Sequence, residues 1–356
     1  MAKRHVVHHE EAVRELRLLL PSRASLPDPG SSAFHRIMTT LASDDPKDES
    51  VNRHGGDIAG PLDTWARTHG LTRDPKVAER LRRVRFDLLA ALTYPRCPRE
   101  EFLVAAKWCT WLFFHDDLLC DRQSSHGIES PEKLARVHER LLRILAGEPA
   151  KPIDGPLGSA LQNLRDDMLR WGGPQWMARF TANVTHHFEA NEWEALNRIH
   201  DRVPSISTYI SMRQHSGAVY TAFDLIELVE DLHIPDETRN HVAIRQILRM
   251  ANNCICWVND LFSLAKEIEE SNPNNLVIAL KSERGLSLAD AMRTAVEMHN
   301  AELVALQKLI SDLPNLTLTL TNDLLDLLAG ARSWMRGNLL WSEQTLRYQE
   351  SLNMLV

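Results

Sequence analysis

Residues 113–121 read FFHDDLLCD: Asp116 and Asp117 are adjacent, Asp121 follows four residues after Asp117, and two phenylalanines precede them. Carboxylates of this kind can hold a hard cation. A helix that leaves the core and turns polar would produce the same string, and short acidic motifs recur by chance. Chemistry and ordinary helix termination therefore both fit this stretch by itself.

A second group lies in NDLFSLAKE, where Asn259, Ser263 and Glu267 are spaced four and four. At about 100 degrees per residue they drift by only about 80 degrees, so on a helix they line one face. Amide, hydroxyl and carboxylate oxygens suit magnesium, which takes near-octahedral oxygen coordination and commonly shares itself with substrate phosphates. A solvated helix face is the alternative. It accounts for Glu267, given a Lys266–Glu270 pair beside it, but not for an Asn, Ser, Glu line that begins directly after CICWV.

The elements that must position these residues read as helices almost throughout. PKVAERLRRVRFDLLAAL, PEKLARVHERLLRILAG, HVAIRQILRMANNCICWVNDLFSLAKEI and SLADAMRTAVEMHNAELVALQKLI repeat apolar residues at three and four, and alternating strand patterns are scarce. No glycine occurs between Gly217 and Gly285, where a long helical stretch is expected. Residues 1–59 read as an N-terminal arm followed by a polar loop, ASDDPKDESVNRHGG, and residues 60–356 as one all-α domain without internal repeats.

Composition narrows the partners. A net charge of -7, with basic residues scattered, argues against nucleic acid. No segment has the length of a membrane span or the form of a secretory signal, so a cytoplasmic protein is expected. Cys97, Cys109, Cys120, Cys254 and Cys256 are odd in number and sit in apolar or helical contexts, as reduced core thiols would. Cys254 and Cys256 lack the second Cys or His pair of a zinc site. His115 beside the aspartates reads as a surface or packing residue, because magnesium prefers oxygen, and HVVHH near the start reads as part of the arm.

DDLLCD followed by NDLFSLAKE, on a helical chain of this size, resembles the aspartate-rich motif and the Asn, Ser, Glu triad of bacterial-type class I terpene synthases. The second motif matches at Asn259, Asp260, Ser263 and Glu267, with Lys266 before the Glu. The first carries its last acid at Asp121, one residue later than the shorter form. The family places a diphosphate-sensing Arg 46 positions before the triad Asn, and that position is Arg213. Ser216 and Gly217 then occupy the linker and effector positions at a helix break, and Arg347 and Tyr348 form the family's Arg and Tyr pair. The resemblance covers roughly residues 60–350.

The resemblance implies a single-domain helical bundle around a deep apolar cavity with a metal-binding rim. Its ligand would be a prenyl diphosphate, an apolar tail with an anionic head. Asp116 is expected to bridge Mg2+ ions, three of them together with the substrate diphosphate. Asp117 is expected to act through contacts that organise closure. Asp121 lies about 140 degrees round from Asp116 on a regular helix, so both reach one cluster only if the helix ends or bends between them.

Arg213, Lys266, Arg347 and Tyr348 would bind diphosphate, and Leu112, Phe113, Trp257 and Trp341 are candidate cavity residues, with core packing equally open for Trp257. Loops after Asp121 and Glu267, and the tail after Tyr348, would act as lids. Farnesyl diphosphate is the expected substrate, with ten- and twenty-carbon diphosphates as alternatives, and a homodimer is left open. A chain-elongating prenyl transferase would instead carry a second aspartate-rich motif at residues 259–267, and a helical binding protein would not need the intact metal positions.

Overall fold

A computed structural model of the protein describes residues 51–120, 130–316, 318–345 and 347. Asp121, Tyr348, the first fifty residues and the segments proposed as lids after them therefore lie outside the described residues. The described chain forms thirteen α-helices and no strand. The helices are α1 (Ala59–Thr68), α2 (Pro75–Val84), α3 (Phe86–Thr93), α4 (Arg99–His115), α5 (Pro131–Leu145), α6 (Gly155–Ile199) and α7 (Ile206–Ser216). They continue with α8 (Val219–Val229), α9 (Asp236–Arg239), α10 (Val242–Glu269), α11 (Leu276–Arg284), α12 (Leu288–Asp312) and α13 (Asn322–Gln344).

Local chemistry sets the boundaries. Asp74 caps α2 by accepting the Lys76 amide with Pro75 behind it, and Ser205, Asn275, Ser287 and Thr321 cap α7, α11, α12 and α13 in the same manner. The apolar run 75–92 reads as one amphipathic segment, yet Arg85 takes a left-handed conformation (φ 62°) and divides it into α2 and α3. The stretch expected to be continuously helical after Gly217 is likewise four helices, interrupted around Pro235 and Pro273, which cannot continue a helix. Within α6, Gly173 (φ 69°) and Pro174 kink the axis.

The centre of the bundle is α10, buried on nearly all sides over Ala243–Ala265 and packed against α7, α8, α12 and α13. In turn α3 lies along α13, α5 along α6, and α4 between α3 and α6. The described end of the polar loop belongs to this body. Asn52 Nδ2 donates to the carbonyls of Tyr94 (2.8 Å) and Cys97 (3.0 Å), and Ile58 is fully buried. The domain thus begins before residue 60. All five cysteines are free, four of them buried, and no helix among the described residues is long and apolar enough to cross a membrane.

Candidate active site

One cleft collects most of the residues singled out by the sequence. Its lining includes Leu112, Phe113 and Asp116 from the end of α4, Arg213, Ser216 and Gly217 from the end of α7, Asn259, Ser263, Lys266 and Glu267 from α10, and Trp341 and Arg347 from the C-terminal side.

The aspartate end is shaped by a change of helix type. Regular α4 stops at His115 and Asp116–Cys120 form a π turn, a widened turn often found at functional sites. Regular α-helix thus ends before Asp116, while Asp121 lies outside the described residues. From the far end of the chain, Arg347 donates to Asp116 Oδ2 (3.1 Å) and Asp117 Oδ1 (3.0 Å), while its guanidinium carbon lies 4.6 Å from the centre of the Phe113 ring. Asp117 is also paired with Arg80 at 3.3 Å and does not line the cleft. Its carboxylate faces two guanidiniums, an arrangement that fits an organising contact better than direct metal ligation.

Opposite lies the oxygen stripe of α10. Ser263 Oγ donates to the Asn259 carbonyl (2.8 Å), and Glu267 Oε2 accepts from Asn275 Nδ2 (2.6 Å). Burial, and next the charge of Asp260, push the Glu267 carboxyl up to about 8. Asp260, 1% exposed, stands beside this stripe and accepts from Tyr209 Oη (2.7 Å) and the Leu276 amide (3.1 Å).

Arg213 connects the stripe, Asp260 and the end of α7. Its Nη2 donates to Asn259 Oδ1 (2.8 Å), its Nε to Asp260 Oδ1 (2.9 Å) and its Nη1 to Ser216 Oγ (3.4 Å). Burial alone would lower its pKa, but the Asp260 carboxylate raises it, so the guanidinium stays charged. Directly after it, α7 ends at Ser216, Ala218 takes φ 56°, and α8 starts at Val219. A side chain at Gly217 would meet Cys256 Sγ at 2.5 Å, so only glycine allows α10 this close to the break.

The apolar wall differs from expectation in one residue. Trp257 is buried but does not line the cleft. It sits about 200 degrees round α10 from Ile255 and Asn259, which do, so it faces the packed side of the helix. The place expected for it is taken by Trp334, seven residues before Trp341 on the same face of α13, a spacing visible in the sequence. Phe113 and Trp341 stand 5.6 Å apart, with Phe86 stacked on Phe113 behind them at 4.2 Å.

Sequence reasoning also missed His187, Asn191, Glu194 and Arg198 from α6, which supply a polar flank to the cleft. No motif marks them, because they come from a long helix of mixed polarity. Of the two readings left for His115, surface or packing, the second holds: it is fully buried, with Nε2 3.0 Å from His138 Nε2.

The comparisons with known proteins agree with this geometry. Residues 107–304, more than half of the chain, match the family model described as terpene synthase family 2, C-terminal metal binding. A (+)-T-muurolol synthase, (2E,6E)-farnesyl diphosphate cyclizing, from Roseiflexus castenholzii is 35% identical over 84% of this chain and 90% of its own length. Germacrene A synthase from Nostoc punctiforme is 32% identical over 80% of this chain and 87% of its own. Among solved structures, germacradien-4-ol synthase from Streptomyces citricolor superposes with a TM-score of 0.72 at 22% identity, covering 85% of this chain and 98% of that one. The SVS_A2 protein from ancestral sequence reconstruction gives 0.76 at 21% identity, covering 83% and 88%.

An all-helical bundle with a carboxylate, amide and cation rim over an aromatic-walled cleft is the architecture of a class I terpene cyclase. The chain belongs to the bacterial class I terpene synthases, enzymes that act on prenyl diphosphates.

Proposed function

We propose that this enzyme ionises farnesyl diphosphate in a Mg2+-dependent reaction and cyclises the resulting cation to a sesquiterpene hydrocarbon or alcohol. The observation that carries the reading is Arg213, joined to both Asn259 and Asp260 at the mouth of a helix break that lines an aromatic-walled cleft. The fifteen-carbon substrate is supported by the (+)-T-muurolol synthase at 35% identity, which is named as cyclising (2E,6E)-farnesyl diphosphate.

The residues present fit Mg2+. Asn259, Ser263 and Glu267 offer hard oxygens on one face of α10, and Asp116 faces the same cleft. Glu267 sits where burial and Asp260 both disfavour its charge, an environment that a cation would relieve. Among the described residues no three His, Cys, Asp or Glu side chains converge as a metal site. When bound, Mg2+ supplies Lewis-acid neutralisation of the departing diphosphate.

The protein's groups do the rest. Arg213, Lys266 and Arg347 would bind and orient the diphosphate and offset its charge as the carbon–oxygen bond breaks, the electron pair leaving with the oxygen. Tyr348, outside the described residues, is proposed as a further donor. The allylic cation is then attacked by a double bond of the same chain, whose conformation the cleft wall holds. Phe113, Trp334 and Trp341 would face the migrating charge with their rings. The cycle ends when a proton is lost or water adds.

Incubation of the purified enzyme with ten-, fifteen- and twenty-carbon prenyl diphosphates, with Mg2+ or with chelator, tests this by gas chromatography with mass detection. Cyclic fifteen-carbon products only in the presence of Mg2+ are expected. Conversion confined to another chain length would overturn the substrate, and undiminished turnover in chelator would overturn the metal.

A further inference from the structure

The break between α7 and α8 is held by side chains that no motif contains. The Gln214 carbonyl accepts from Asn252 Nδ2 at 2.8 Å, and Asn252 is fully buried on α10. Cys256, one turn on, lies with its thiol 3.1 Å from Asn252 Oδ1 and 3.6 Å from the Arg213 carbonyl. The His215 carbonyl meets His187 Nδ1 at 3.2 Å. Because Asn191 Nδ2 approaches His187 Nε2 at 3.1 Å and can only donate, Nε2 accepts and Nδ1 carries the proton toward His215. Finally, Thr221 Oγ1 donates to the Ala218 carbonyl (2.6 Å) and itself accepts from Trp108 Nε1 (2.9 Å).

Four carbonyls around Gly217 are thus gripped from α6, α8 and α10. Between them Ala218 adopts a left-handed conformation that a residue with a Cβ seldom takes unless its surroundings impose it. The placement on α10 matters. Asn252, Cys256, Asn259 and Ser263 follow one another at spacings of four, three and four, so the helix face that carries the oxygen stripe also carries the grip on α7.

We propose that Asn252, Cys256 and His187 are positioning residues for the reaction: they lock the α7–α8 break in register with the Asn259–Glu267 stripe, so that Arg213, Ser216 and Gly217 meet the diphosphate end of the substrate at fixed distance. This rests on the terpene synthase reaction proposed above, in which a misplacement of about 1 Å can cost on the order of a hundredfold in rate. Substrate binding draws on the whole cleft, whereas bond breaking depends on this one alignment. Losing the grip should therefore lower kcat far more than it raises KM.

The test compares wild type with Asn252→Leu, Cys256→Ala and Cys256→Ser. For each, kcat and KM with farnesyl diphosphate and Mg2+, product distribution, melting temperature and amide hydrogen exchange over residues 209–220 are measured. Asn252→Leu is expected to lower kcat at least about tenfold with KM within about threefold, to enrich early-quenched acyclic products and to speed exchange across the break. Cys256→Ala should lower kcat several-fold and Cys256→Ser should restore it, since the hydroxyl keeps the donor. Should Asn252→Leu fail to fold, the Cys256 pair decides.

Faster exchange with unchanged kcat, kcat and KM moving together, or Ser performing no better than Ala would each overturn the positioning role. A wild-type enzyme inactive on all three prenyl diphosphates would instead overturn the reaction, and the positioning role with it.

Discussion

Arg213 Nη2 donates to Asn259 Oδ1 across 2.8 Å, although the two residues are 46 positions apart on different helices. An amide oxygen has two lone pairs, so Asn259 can accept from the guanidinium and still present the other pair to a cation. The same guanidinium donates to buried Asp260. Arg213 thus joins the α10 stripe to the helix break by side-chain hydrogen bonds.

Arg213→Lys should therefore lower turnover by at least about tenfold, roughly 1.4 kcal/mol of transition-state stabilisation, because a single ammonium cannot span Asn259, Asp260 and a phosphate. With Asp260 as buried partner, a loss of about 1–2 kcal/mol is expected as well. Steady-state kinetics and denaturant melts on one preparation check both, and wild-type turnover would refute the sensing role.

Glu267→Gln should remove most turnover while leaving the melting temperature equal or higher. Burial and Asp260 already disfavour the carboxylate, so a neutral isostere costs the fold nothing and removes only the charge a cation would use. Added Mg2+ with inorganic diphosphate should stabilise wild type and not the variant. A variant stabilised by Mg2+ as strongly as wild type would exclude Glu267 as a ligand.

Much of this site was legible because its chemistry is local in sequence. Asn259, Ser263 and Glu267 declare a helix face by spacing alone, and the acids at 116 and 117 follow their aromatic wall directly. What the sequence left open depends on which side of a buried helix faces the cleft. The stretch CICWV of α10 is apolar at five consecutive positions, so Trp257 could not be separated from Ile255 by pattern. The clamp at Asn252 and His187 was invisible for another reason: its acceptors are backbone carbonyls, which carry no sequence signature. The break at Arg85 was hidden because left-handed arginine is a tertiary outcome.

Stability should fall steeply under mild acid. His138 and His187 are both buried, and burial lowers their pKa values from 6.5 to about 3 and about 4. His138 touches His115 and Glu192, and His187 faces Asn191 and the His215 carbonyl. Between pH 6.5 and 4 the unfolded chain binds these protons and the folded one does not, so stability rises with pH and is lost as pH falls through that window. Each group contributes up to about 1.4 kcal/mol per pH unit, hence at most about 4 kcal/mol between pH 7 and 5 for the pair. Urea unfolding at both pH values should show a smaller difference for His138→Gln than for wild type, and equal differences would contradict the assignment.

The correction at Trp257 supplies a matched comparison. Trp334 and Trp257 are each buried, at 7% and 4% exposure, but only Trp334 lines the cleft. Replacing either by Leu leaves unfilled volume and should destabilise by about 1–3 kcal/mol. Only Trp334→Leu also removes an aromatic face from the path of the cation. At about 0.5–2 kcal/mol per cation–π contact, the affected cyclisation step should slow by roughly two- to thirtyfold relative to competing proton loss or water capture. The product mixture of Trp334→Leu should therefore shift toward less cyclised terpenes, while Trp257→Leu keeps the wild-type mixture at whatever turnover its stability allows. If Trp257→Leu redistributes products and Trp334→Leu does not, the side of α10 that faces the substrate has been assigned wrongly.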